Sequence, residues 1–294
     1  MNRCNTPVKA VGGKGINAGR TAAILGSEVT AIGVLAGMNG QLIRSALEKE
    51  PFSTSFISID GESRNAVTIM DQAKNQTEIV ELGPKITAAT AQKVLDSIIT
   101  HVLKQDTTPI IALCGSANTQ NDALYEYYLQ QLHQSLHSQI KILADISGKQ
   151  LQHVLTSSIK PYFIKPNIHE FSDLLATTVT NKNEIIPLLN HPLLEGISFI
   201  LVSCGKEGAV AKFCGRMFNI SIPSIDSINP TGSGDATVGG VAFALEQELP
   251  IEEVLKYGMA CGMSNALETA VGYVSKQRVE QLKEEISVTE ISLP

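Results

Sequence analysis

A carboxylate set directly behind a glycine turn is the stretch of this chain with the clearest chemical meaning. Residues 229–240 read NPTGSGDATVGG: Asn229-Pro230 closes an extended segment, Gly232, Ser233 and Gly234 make a small-residue turn, and Asp235 follows. The mostly apolar run from Ala236 to Leu245 then suits a buried helix. A turn that feeds a helix N-terminus leaves several backbone N–H groups unpaired and pointing one way, and the helix dipole adds positive potential there. Such an end binds anions. A carboxylate beside it would repel a static anion. The pairing makes sense for a phosphoryl group in transfer, with the carboxylate taking the proton of the attacking hydroxyl. The competing account makes Asp235 a helix cap and the glycines turn formers.

A second glycine turn lies near the start, Gly12-Gly13-Lys14-Gly15-Ile16-Asn17-Ala18-Gly19-Arg20, leading into TAAILG. Its small and apolar residues predict a helix packed closely on a sheet. Gly13-x-Gly15-x-x-Ala18 has the spacing of a dinucleotide fingerprint, which also requires a strand before it and an acid about 20 residues on. Val8–Val11 is barely a strand, and no Asp or Glu ends the β-rich Val29–Val34. The context for a dinucleotide-dependent oxidoreductase is therefore missing. No G-x-x-x-x-G-K-[ST] phosphate loop occurs either.

Composition narrows the classes further. The net charge is −6, from 29 acids against 23 bases, without a basic run, which argues against a nucleic-acid backbone as partner. No apolar run is long enough to cross a bilayer, and MNRCNTPVKAVGGKG lacks the apolar core of a signal peptide. No membrane partner is expected. The five cysteines, Cys4, Cys114, Cys204, Cys214 and Cys261, are odd in number and scattered. They fit buried, reduced thiols of a cytoplasmic protein rather than a disulfide framework or metal cluster.

The elements that must hold these motifs follow from hydrophobic patterning. Between Pro51 and Pro84 three short strands are expected, Phe56–Ile59, Ala66–Met70 and Thr77–Val80, with turns at Asp60-Gly61 and Lys74-Asn75. Three antiparallel strands bury little alone, so this segment reads as a small sheet at about 51–84, a lid or dimer patch beside the main body. From Ile86 helices and apolar strands alternate: a helix over Thr87–Lys104, a strand over Pro109–Cys114, a helix over Asp122–His137, then strands over Ile140–Ala144, Tyr162–Ile164 and Ser198–Ser203. Alternation of this kind implies right-handed βαβ units, a mostly parallel sheet covered on both faces and an α/β fold. Ligands of such sheets sit at the carboxyl ends of the strands, where Gly115, Asp145, Asn167, Glu170, Gly205 and Gly208 would lie. A hairpin, Ala209–Phe213 with Arg216–Ile222, turns at Gly215 and delivers the chain to Asn229. Two further helices, roughly 251–270 and 276–286, end the chain.

With both turns placed, GGKGINAGR and NPTGSGDATVGG together resemble the two signature sequences of the PfkB/ribokinase family of sugar kinases. SRNAVTIM, NQTEIVELGP, KPNIHE, LVSCGKEGAV and GMSNALETAVGYV resemble its sugar-phosphate branch, so the likeness covers nearly the whole chain, 1–294. The resemblance implies a ribokinase-like fold and phosphoryl transfer from ATP, with Mg²⁺, to a ketohexose phosphate. Tagatose 6-phosphate is the expected acceptor, and fructose 1-phosphate is the alternative. It also implies roles. Asp235 would deprotonate the sugar hydroxyl, with the backbone N–H groups of Gly232, Ser233, Gly234 and Asp235 stabilising the phosphoryl oxygens. Lys14 and Arg64 would hold the phosphate already on the sugar, with Gly13 and Asn17 lining its hydroxyl side. Asn167 and Glu170 would organise Mg²⁺ through water. Lys165, Ser203, Gly205, Gly208 and Asn265 would border the nucleotide, Asn265 near the adenine. Lid strands of relatives often pair between two subunits, so a homodimer is the expected assembly.

The chain departs from the family pattern twice. It starts at Met1-Asn2-Arg3, about where the family's first strand ends, so that strand and its substrate carboxylate are expected to be missing or replaced by another segment. Ala117-Asn118-Thr119-Gln120 stands where relatives have a Leu-Pro-x-Gly-like turn. If those losses abolish turnover, what remains is a kinase-like protein that binds sugar phosphate and nucleotide.

Overall fold

Helix α1 (Lys14–Leu25) begins at the first glycine turn, with Gly13 as its N-cap at a φ of 113° that a residue bearing Cβ would adopt only under strain. The computed structural model describes residues 9–70, 76–136 and 140–291. The first eight positions, on which the expectation of a missing first strand turns, lie outside that range, as do Cys4 and the Lys74-Asn75 turn. Lys9–Gly13 is not a strand. The dinucleotide fingerprint therefore lacks its strand among the described residues.

After α1 come β1 (Thr30–Ala36), α2 (Gly37–Leu47) and β2 (Ser53–Ile59). Here the structure corrects the sequence reading. β2 pairs in parallel with β1, from Thr30↔Ser53 to Ala36↔Ile59. β3 (Ala66–Met70) and β4 (Gln76–Val80) form a two-stranded antiparallel ribbon, so among the described residues there is no three-stranded lid sheet. The cause is the unanticipated α2, which supplies the crossover that a parallel pair requires. Its entry turns on Gly37 at φ 63°, and Gly40 lets the helix lie directly against Leu35.

The remaining elements alternate much as expected: α3 (Ala88–Val102), β5 (Ile111–Cys114), α4 (Leu124–Ser135), β6 (Ile142–Asp145), α5 (Gly148–Thr156), β7 (Phe163–Ile164), α6 (Ile168–Leu174), the short α7 (Ile185–Leu188) and β8 (Phe199–Ser203). The hairpin β9 (Ala209–Phe213) and β10 (Arg216–Ser221) leads to α8 (Ser233–Glu246), α9 (Ile251–Ala266), α10 (Lys276–Glu285) and β11 (Ser287–Ile291). One seven-stranded sheet runs β11-β10-β9-β8-β7-β6-β5, with β5 to β8 parallel and the rest antiparallel. The closing strand β11 was not foreseen, because Ser287–Ile291 alternates polar and apolar on a half-exposed edge. Cys214 also departs from expectation: it is exposed at the β9–β10 turn, at φ 46°.

Alternation along the strands divides the core between the two faces. In β8, Ile200 and Val202 join Ile111, Leu113 and Ile164 under α3 to α6, whereas Phe199 and Leu201 join Phe163 and Phe218 under α1 and α8 to α10. Helix α8 is buried almost all round, from Ala236 through Val241 to Leu245, because α1 packs on one side and α9 on the other. Glycines permit that approach. A Cβ on Gly239 would run into the carbonyl of Ala18, and one on Gly240 would lie 2.7 Å from both Cys261 Sγ and the Tyr257 carbonyl. The α1–α8–α9 packing therefore sets where the two glycine turns meet. Gly240→Ala should lower stability by about 1–3 kcal/mol, the usual cost of overpacking, read as a lowered denaturation midpoint in urea.

Candidate active site

Gly232 caps α8 in the left-handed conformation, at φ 81°. The turn before it is tied down locally: Asn229 Oδ1 accepts from the Thr231 N–H at 3.0 Å, and Asn229 and Ile228 donate to the Ala266 carbonyl at the end of α9. Ser233 N–H turns back to the Pro230 carbonyl at 3.2 Å, and the first helical bond is Ala236 N–H to Gly232 O at 2.8 Å. The amides of Gly234 and Asp235 precede that bond and have no intrahelical acceptor. The anion hole is thus narrower than the whole Gly232–Asp235 turn, since the Ser233 amide is already spent.

Asp235 leaves this helix end toward α1. Its Oδ2 accepts a 2.8 Å hydrogen bond from Asn17 Nδ2, across 218 residues of sequence. One helical turn before Asn17, Lys14 forms a 3.1 Å ion pair with Asp145, which ends β6. Two helix N-termini, α1 and α8, therefore converge on one carboxylate with an ammonium beside it. Burial raises the pKa of Asp235, the Asn17 hydrogen bond pulls it back, Asp145 pushes it up again, and Lys14 and Lys165 oppose that push. The net direction is upward. For Lys14, burial acts to lower the pKa, but Asp145 and then Glu170 outweigh it, and the lysine stays charged.

The other expected site residues fall into three groups. Lys165, at the end of β7, is buried, and its ammonium lies against Gly234, 2.9 Å from where a Cβ would stand. Asn167 and Glu170 form a capping box at the start of α6: Asn167 Oδ1 accepts from the His169 and Glu170 amides, and Glu170 Oε2 accepts from the Asn167 amide, all at 2.9 Å. Ser203 neighbours them through an isolated bridge to Asn167, and Gly205 and Gly208, both at positive φ, shape the turn that follows β8. These residues share the carboxyl-end rim of the parallel strands.

Arg64, exposed, reaches from the segment before β3 to Ser116 Oγ at 3.3 Å, just past β5. Asn265 faces inward. It is fully buried, its Nδ2 donating to the Thr231 carbonyl (2.9 Å) and Ser233 Oγ (3.2 Å) and its Oδ1 accepting from Gly272 N–H (2.6 Å). It supports the turn from beneath.

Two participants were missed in the sequence. Asp145 was placed on the rim without a role, yet it is only 3% exposed, pairs with Lys14, and keeps Oδ2 buried without a hydrogen-bond partner. Its position at a strand's carboxyl end, closing an apolar run, was the available signal. Arg20 read as part of a motif, but its side chain is buried and contacts Asn17.

Comparison with known proteins bears on this geometry. The pfkB family carbohydrate kinase model matches residues 1–277. The chain belongs to the pfkB family of carbohydrate kinases. The chain is also similar to the tagatose-6-phosphate kinase of Staphylococcus epidermidis, at 36% identity over 99% of this chain and 92% of that protein. A structure provisionally assigned as a phosphofructokinase, from Staphylococcus aureus, superposes with a TM-score of 0.80 at 27% identity, covering 99% of this chain and 91% of its own. Escherichia coli phosphofructokinase-2, solved with substrates and products, shares the fold with a TM-score of 0.81 at 24% identity, over 96% and 90% of the two chains. The expected ribokinase-like α/β architecture is thereby borne out.

The raised Asp235 carboxyl ties the stability of the fold to pH. A folded-state pKa above the ordinary ~3.9 means the fold holds that proton more tightly than the unfolded chain, so stability declines as pH rises between the two values. Asp235→Asn removes that burdened charge. It should leave the melting temperature at pH 7.5 unchanged or higher and, with Asp235 as the base, cut kcat by ~10² or more, the low end for lost general-base catalysis. The wild-type kcat/KM should fall with acid through a pKa above the ordinary carboxylate range.

Proposed function

We propose that this chain transfers the γ-phosphoryl group of ATP to a hydroxyl of a ketohexose phosphate, tagatose 6-phosphate in the first place and fructose 1-phosphate as the alternative. The observation that carries the reading is Asp235, held by Asn17 at the meeting of two helix N-termini with Lys14 alongside. The similar tagatose-6-phosphate kinase supports the choice of acceptor. In the step, the sugar oxygen attacks the γ-phosphorus, the bond to the β–γ bridging oxygen breaks, and the hydroxyl proton passes to Asp235 as ADP leaves. The Gly234 and Asp235 amides and Lys165 neutralise charge on the moving phosphoryl group, where one lost donor commonly costs about 3–4 kcal/mol. Lys14 and Arg64 hold the acceptor's own phosphate, with Gly13 and Asn17 along its hydroxyls. Ser203, Gly205 and Gly208 border the nucleotide. Asn265 acts there through the turn it supports.

Among the described residues no set of three metal-ligating side chains converges. The donor chemistry still fits Mg²⁺ held largely through water, because Asp145 offers a buried, unpartnered carboxylate oxygen near Lys14 and Glu170 lies within electrostatic reach of that lysine. Asp145, Asn167 and Glu170 would hold it, and when bound it would offset charge on the nucleotide phosphates.

The assembly proposed is a homodimer through the β3–β4 ribbon. Val67, Ile69, Ile79, Val80 and Leu82 are all at least half exposed on and beside it, more apolar surface than a free two-stranded ribbon usually presents. A cytoplasmic placement is proposed from the scattered cysteines, unpaired among the described residues. No helix of the described residues is long and apolar enough to cross a membrane.

Two measurements test these proposals. A coupled assay of ADP release over a panel of sugars should give turnover with ketohexose phosphates and little with the unphosphorylated ketohexoses, and Arg64→Ala should raise KM for the acceptor about tenfold, the size of a lost charge-assisted hydrogen bond, without moving KM for ATP. Binding of sugar phosphate and nucleotide with no ADP release would instead mark a kinase-like binding protein. By sedimentation, Ile79→Glu should convert a dimer to monomer, and a wild-type chain already monomeric at micromolar concentration would count against the ribbon interface.

A further inference from the structure

Arg20 is 1% exposed, and all five of its guanidinium N–H groups have acceptors. Nε and Nη2 grip Glu50 Oε2 and Oε1 at 2.9 and 2.8 Å. Nη2 also donates to the Val11 carbonyl at 2.8 Å, and Nη1 donates to the Val271 carbonyl at 3.0 Å and to Asn17 Oδ1 at 3.2 Å. Tyr273 covers the guanidinium, with its ring centroid 4.6 Å away, and its hydroxyl donates to Glu50 Oε1 at 3.0 Å. An arginine is never an acceptor. The Asn17 atom that faces it must therefore be the carbonyl oxygen, which leaves the Asn17 NH₂ facing Asp235. Without the arginine, the amide could turn over and present an acceptor to an acceptor.

We infer that Arg20 is a positioning residue for the base: clamped by Glu50, it sets which way the Asn17 amide points and so holds Asp235 Oδ2 as an acceptor. The inference rests on Asp235 being the base of the proposed transfer. It assigns a function to two residues, Arg20 and Glu50, that touch neither of the reacting groups. It also gives the buried Arg20–Glu50 ion pair an orienting role, since such a pair is weak evidence for stability. Gly272 belongs to the same device: a Cβ there would stand 2.7 Å from Asn17 Cα and 3.0 Å from Arg20 Nη1, so the loop carrying Val271 can seal the guanidinium only with glycine beside it.

The test is a double-mutant cycle on kcat, measured with ATP and the best sugar phosphate, using Arg20→Lys, Asn17→Ala and the pair. An arginine acting through Asn17 predicts that Arg20→Lys lowers kcat about tenfold, the scale of one positioning hydrogen bond, leaves KM for ATP within twofold (about the reproducibility of a positioning effect confined to the base), and adds nothing once Asn17 is already alanine. Multiplicative losses in the pair, or an unchanged kcat in the single variant, would overturn the inference while the kinase reading stands. A wild-type protein that phosphorylates no sugar phosphate would instead take both down. If Arg20→Lys does not fold, Glu50→Gln repeats the cycle from the far side of the guanidinium. The same non-additivity with Asn17→Ala is then expected, and additive losses there would equally overturn it.

Discussion

The structure depends on one hydrogen bond between two helix ends, from Asn17 Nδ2 on α1 to Asp235 Oδ2 on α8, at 2.8 Å. Each helix begins at a glycine turn, so each brings unpaired amides and positive potential to the junction. The bond can form only because α1 lies close along α8, and that approach requires Gly239 to leave room for the Ala18 carbonyl. Packing in the first turns of the two helices thus sets the distance between the side chains at their tips. A single added methyl group in that seam would be felt at the Asn17–Asp235 junction.

Electrostatics at the junction is a balance between groups of both signs. Asp235, Asp145 and Glu170 are acidic, while Lys14 and Lys165 are basic. In a chain of net charge −6, attraction for a doubly or triply charged phosphate has to be local. In the proposed reading, two lysines, the amides behind Gly232 and the dipoles of α1 and α8 would supply it. Burial strengthens each of these terms by excluding water. It also raises the cost of leaving Asp235 ionised, which the Asn17 hydrogen bond offsets. The half-buried Lys14–Asp145 pair has the same character: the neighbouring carboxylates more than offset the lowering of the lysine's pKa by desolvation.

Much of the architecture was legible along the chain because it is locally encoded. The apolar runs over 110–114, 140–145, 162–164 and 198–203 all became parallel strands, since a strand buried on both faces has to be continuously apolar. The lid was misread for the complementary reason. Phe56–Ile59 has the alternation of a half-exposed strand, which is the same whether it pairs in parallel with β1 or antiparallel with β3. Only the intervening α2 decided between them, and its sequence, GMNGQLIRSAL, carries two glycines that weaken any helical signal. Strand β11 escaped notice because an edge strand needs little hydrophobicity.

At the site, the residue types and their spacing were enough to establish an acid following a glycine turn at the head of a buried helix, and a lysine at the head of another. Those are facts about consecutive residues, and backbone geometry alone turns them into anion-binding ends. Which partner each side chain would find was decided by tertiary structure. Asn17 meets Asp235, Lys14 meets Asp145, and Asn265, for which the family resemblance had implied a place near the adenine, turns inward to hold Thr231, Ser233 and Gly272. Such pairings join residues far apart in sequence and depend on sheet order and on how closely helices approach. Burial then drives most of these polar atoms to find partners, Asp145 Oδ2 being the exception.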